Sequence, residues 1–235
     1  MTGTIRSGGF FHVMAWILAL MVLAGFALFN LLMPEQASPL RPALIVHALV
    51  FFGWYVVLII QTRLIAQRNY SRHKQLGTAS IALATALVVM GTIITREAYL
   101  RAGWSIAGMS PQSSVMFPFT DILFFSAAYG LAIANRGNAH AHKRLMLAAG
   151  LVMLDPALAR FFGALALPPP LISAVELALV IAIMVYDRKT LGRIHWSTWF
   201  GAALLVAVYP AVFIVAQTDA WTGMVTSVWG SPPAI

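Results

Sequence analysis

The chain has 235 residues, 60% of them hydrophobic and only 9% charged, with a mean hydropathy of +0.84. A soluble domain carries about 25% charged residues and needs a wetted, charged surface, so the composition excludes an ordinary water-soluble globule. The net charge of +8 sits in short turns between apolar runs, a membrane-protein pattern that argues against a nucleic-acid partner.

There is no cysteine. Disulfides, thiolate zinc sites, iron–sulfur clusters and covalent haem attachment are therefore excluded. Arg6 precedes an apolar run over 10–33, longer than the roughly 7–15 residues of a signal-peptide core, and this run is read as a retained first span. Six more runs of about the 20 apolar residues a bilayer demands follow at 42–65, 76–95, 115–135, 144–166, 170–187 and 197–217. Prolines at 34, 39 and 42 and at 168–170 break the chain between them, because proline cannot continue a helical hydrogen-bond ladder. The expected fold is a single polytopic domain over 1–235, an all-α integral membrane protein of about seven transmembrane helices. The segment 96–114 reads as a loop or short helix on the membrane surface. The tail over 218–235 shows no periodicity and reads as lying along the outer face.

Fifteen Lys and Arg fix the expected orientation. Arg41, Arg96, Arg101 and Arg160 fall on one side; all the others, from Arg6 to Arg193, fall on the other. The bias places the N-terminus in the cytoplasm and the C-terminus outside.

Two stretches echo each other. His73-Lys74-Gln75-Leu76-Gly77 and His142-Lys143-Arg144-Leu145-Met146 each follow a basic turn and open an apolar helix. Each is preceded by an apolar helix with one ionisable residue near its outer end, His47 and Asp121 respectively. Spans 2–5 are thus read as a pseudo-repeated four-helix core, with copies over 42–95 and 115–166.

The same pattern, His47, Gln61, the turn at 73–77, Ala139-His140-Ala141-His142-Lys143-Arg144-Leu145-Met146 and Arg160, resembles uncharacterised bacterial multi-pass families marked by HRxLG and HRRxM turns. A related group is implicated in haem–copper oxidase assembly. The resemblance covers roughly 47–160. Lys74 and Lys143 stand where arginine is usual, and spans 1, 6 and 7 lie outside it. It implies a bacterial inner-membrane protein, with respiratory-complex subunits as partners.

Ionisable groups inside a bilayer are costly and face the bundle interior by default. Here they fall in two layers. The outer one holds His47, Glu97, Asp121, Asp155, Arg160 and Glu176, contributed by five spans. The inner one holds His12, His73, His140, His142 and His195. Asp155 lies near mid-bilayer, and Pro156 after it leaves the Val152 carbonyl without its helical donor. Arg160 sits badly for a bridge to Asp155 within one helix, so a pairing with Glu97 or Glu176 is expected. His73 and His142, at equivalent points of the repeat, are candidate axial ligands of a b-type haem, or interfacial residues beside lipid phosphate. His47 with Asp121, Asp155 and Glu176 has the ligand types for a nitrogen–oxygen metal site or a quinone-headgroup pocket. No tight ligand spacing supports a metal site. Three functional readings follow: a redox-associated protein binding haem or quinone in respiratory-complex biogenesis, a proton-coupled carrier or channel using the carboxylate–histidine cluster, or a non-catalytic assembly subunit.

Overall fold

The computed structural model describes residues 7–233. Arg6, counted above for orientation, and the last two residues of the tail lie outside them. The described residues form helices α1 (Ser7–Leu32), α2 (Pro42–Ala66), α3 (Tyr70–Tyr99), α4 (Pro111–Ser114), α5 (Met116–Ala134), α6 (Ala139–Leu151), α7 (Asp155–Ala164), α8 (Pro170–Leu191), α9 (Trp196–Phe213) and α10 (Asp219–Trp229). No strand occurs among them. Six segments are long and apolar enough to cross a membrane, and counting the bent pair α6–α7 as one broken span gives seven. Large apolar side chains such as Leu23, Leu49, Val206 and Phe213 stand exposed, as lipid-facing positions do and a wetted surface does not.

Helix starts follow local chemistry. Asn69 and Asn138 cap α3 and α6, their side chains accepting from Arg72 N–H and from His140 and Ala141 N–H, because a short polar side chain satisfies the donors a helix start leaves free. Each cap lies four residues ahead of a histidine, His73 or His142, whose N–H donates to the cap carbonyl. Proline opens α2 and α8, where its missing N–H costs nothing. Gly192, at φ 71°, ends α8.

Helices α2, α3, α5 and α6 pack in a ring, each against the next, and α1 lies across α2, α6 and α7. The principal apolar core sits among them, with Leu18, Trp54, Tyr55, Phe125, Leu145 and Leu147 wholly buried. At Gly25 of α1 an added Cβ would collide with the Ala157 carbonyl, so α1 crosses the first turn of α7 at backbone contact.

Three segments differ from expectation. Span 3 begins at Tyr70, so His73 lies inside its first turn, and span 6 runs to Leu191, one turn past the expected end at Asp187. The tail is not aperiodic. Thr218 caps α10 by accepting from Trp221 N–H, and Trp221 and Val225, four residues apart, bury one face. They join Tyr99, Val115, Met116, Val212 and Ala216 in a second, smaller core. The loop over 100–110 is a series of turns, with Gly103 and Gly108 both at φ 71°.

Candidate functional site

The predicted fifth span breaks in the middle. Helix α6 ends at Leu151 and α7 starts at Asp155, with a bend of 41° between them. In an unbroken helix the Gly150 carbonyl would accept from Leu154 N–H. Leu154 N–H instead donates to Leu151, three residues back, and the wholly buried Tyr55 hydroxyl fills the place, donating to Gly150 O at 2.8 Å. Irregular backbone at membrane depth is tolerated where protein groups satisfy it in this way.

Asp155 is the first residue of α7, half-buried at the break. Asp121 of α5 is buried, and Glu176 of α8 is half-buried. The three carboxyls lie within reach of one another's charge, and Tyr55 lies within reach of Asp121. Among the described residues none of the three makes a hydrogen bond or an ion pair; the ion pairs there are Arg41–Glu97 and Arg144–Asp187. Three of the six outer-layer residues thus converge.

The other three do not join them. Glu97, in the last turn of α3, approaches Arg41 at the start of α2 at 3.1 Å without the alignment of a hydrogen bond. The expected pairing of Arg160 with Glu97 or Glu176 does not occur. Arg160 donates to the Pro156 carbonyl of its own helix at 2.8 Å, and its guanidinium lies 4.7 Å from the Phe26 ring centre on α1. A cation is held there by a ring face and a carbonyl rather than by an acid. His47 is half-buried, stacked 5.8 Å from Phe51 and within electrostatic reach of Arg160.

At the other end of the ring, His73 and His142 face each other with ring centres 6.4 Å apart and planes at 88°. His142 Nδ1 lies 2.8 Å from the Ala132 carbonyl. That oxygen only accepts, so Nδ1 carries a proton, and in the neutral ring Nε2 is left as an acceptor. His73 Nδ1 is buried with no partner. His12 is fully satisfied: Nδ1 meets Thr62 Oγ1 at 2.9 Å, and Nε2 accepts from Trp16.

A second charged centre escaped the sequence reading. Arg144, counted above as a loop cation, is only 1% exposed, and Asp187 is wholly buried. Arg144 donates through Nε and a second guanidinium nitrogen to Asp187 Oδ1, and through its third to His140 O. Asp187 Oδ2 accepts from Thr198 Oγ1 at 2.6 Å and from His195 N–H at 3.0 Å. Each guanidinium nitrogen and each carboxylate oxygen of a pair spanning α6, α8 and the start of α9 therefore has a partner, the condition under which a buried pair is stable. His195 is the cap of α9 rather than a plain loop residue. Burial, and then the positive charge of Arg144, holds its imidazole below the usual histidine range against the opposing pull of Asp187. Asp187 is followed by Arg188 and Lys189, which give it the look of a solvated interfacial run. The signal was an acid at the end of the apolar run over 170–187.

These elements define a polytopic, all-helical membrane protein with a broken span and a converging set of acids. No protein-family model, curated protein or solved structure matches the chain.

Proposed function

We propose that the protein is a proton-coupled carrier or channel whose proton-binding group is Asp155 with Asp121 and Glu176. The observation that carries this is the meeting of three carboxyls, from α5, α7 and α8, at the break between α6 and α7, with no cation among the described residues paired to them. Acids gathered in an apolar medium share protons, and so bind and release them as their surroundings change. Discontinuous helices recur where transporters bind ions and substrates, because their ends present free backbone groups to a cavity. Asp121 and Glu176 lie five and six residues into their helices, about 8–9 Å along the axis, so the cluster lies nearer the end bearing the C-terminal cap. A redox role has one observation in its favour, the approach of the His73 and His142 rings.

The test uses the full-length protein in liposomes holding a pH-sensitive dye, with a potassium gradient and valinomycin setting the potential. Wild-type vesicles acidify faster than empty ones, and Asp155→Asn returns them to the empty-vesicle rate. Unchanged proton entry in Asp155→Asn sinks the reading.

A further inference from the structure

The carboxyl cluster lies toward one end of the bundle, and a proton crossing the molecule must still traverse the half that ends at His73 and His142. Four helices line the interior there, and each sends a polar group inward. On α2, Gln61 is only 7% exposed and its side-chain oxygen has no partner. Its amide nitrogen lies where Gly77 of α3 leaves room, 3.4 Å from the Cβ that any other residue would place there. Gly77 is one turn beyond His73, whose ring is within hydrogen-bonding reach of the Gln61 backbone carbonyl. The Ser80 hydroxyl, next along α3, meets Tyr129 Oη of α5 at 3.2 Å. Trp54, two turns from Gln61 on α2, packs edge-on to Tyr129 and to Phe125, with ring centres 5.2 and 5.0 Å away. Its indole N–H is buried without a partner. Tyr55 follows, within reach of Asp121.

Three buried polar atoms without partners, His73 Nδ1, Gln61 Oε1 and Trp54 Nε1, thus lie along one seam. Over nine-tenths of buried polar groups are hydrogen-bonded, and water is the partner small enough to serve donor and acceptor alike. An isolated orphan would be a local defect; three in series beside a serine–tyrosine pair form a line.

We infer that this seam holds a chain of water molecules and conducts protons between the His73–His142 end of the bundle and the carboxyl cluster. His142 Nε2 takes a proton from the aqueous phase and releases that proton to the first water of the chain, returning to the neutral ring. Each water then accepts one proton as it releases another, and the last passes one to the Asp121–Asp155–Glu176 group. Only N–H and O–H bonds form and break, and no oxidant or reductant enters. Trp54 and Gln61 orient the water; they do not carry the charge. The path rests on the carboxyl cluster being the proton-binding group.

Gln61→Leu and Gln61→Glu in the same vesicles test it. A path needs a polar group at this position, so Gln61→Leu slows proton entry about tenfold or more, Trp54→Phe slows it too, and Gln61→Glu conducts. A packing role predicts the reverse order, since leucine fills the space and a buried glutamate does not belong there; that order overturns the path. Thermal melting in detergent shows whether Gln61→Leu is as well folded as wild type. Wild-type rates in Gln61→Leu and Trp54→Phe, with Asp155→Asn inactive, overturn the seam and leave the cluster standing. Wild-type vesicles that pass no protons sink the cluster and the path together. A pigment or extractable quinone that copurifies with wild type and is lost in His73→Ala also overturns it, since a bound cofactor would then occupy this space.

Discussion

Arg144 and Asp187 show how a charge is kept inside an apolar bundle. The pair is held by two contacts to one carboxylate oxygen, two donors on the other, and one carbonyl for the remaining guanidinium nitrogen. Removing one partner leaves the other buried and bare, which costs about 3–5 kcal/mol. Arg144→Ala is expected to lower the detergent melting midpoint sharply, and Arg144→Met with Asp187→Leu to recover most of the loss. A double variant no more stable than the single one would show that the hydrogen bonds to His140, His195 and Thr198, rather than charge balance, hold this corner. Side-chain partnership is where the sequence was least legible. Asp155, Asp121 and Glu176 could be placed at similar depths from helix lengths, but helix rotation decides which acids meet, and Glu97 faces away to Arg41. Arg144 looked like one more interfacial cation because its burial depends on α8 and α9, far along the chain.

At the scale of elements, hydrophobic runs and proline breaks carry most of the information. All seven spans were visible, since a bilayer leaves few other ways to satisfy backbone polar groups. The interruption at Asp155-Pro156 was visible too, but not the tyrosine that heals it. Tyr55→Phe removes the hydroxyl and leaves the Gly150 carbonyl buried without a partner, at a cost of about 1–3 kcal/mol. The expected outcome is a lower melting midpoint together with faster amide hydrogen exchange confined to residues around the 151–155 break. Uniform exchange across the bundle would mean that the hydroxyl supports general packing instead. The helix in the tail went unread because its apolar stripe is short, Trp221 and Val225 with Trp229 half-buried a turn further on, and the cap at Thr218-Asp219 was the sole start signal.

For the whole molecule, the two cores divide the labour. The main one binds α1 to the ring of α2, α3, α5 and α6, and the smaller one ties α10 to the ends of α3, α5 and α9. Tyr99 donates to Gly230 O at 2.7 Å, and Trp221 Nε1 to Gln112 O at 2.9 Å, fastening that end. Trp221→Ala is expected to cost about 3–5 kcal/mol and to release α10, the 100–110 turns and the adjoining helix ends to protease while α1 and α6 stay protected. Cleavage spreading into α1 at the same rate would show one cooperative unit rather than two.

The buried ion pair also sets a constraint on biosynthesis. Arg144 and Asp187 are 43 residues apart, so at roughly 5–20 residues per second the arginine leaves the ribosome about 2–9 s before its counter-ion. During that interval the fifth span carries an unneutralised guanidinium, a poor passenger for hydrocarbon. Stable burial of Arg144 is therefore expected to await α8, and a chain truncated before Asp187 is expected to be cleaved in α6 faster than one that includes α8 and α9.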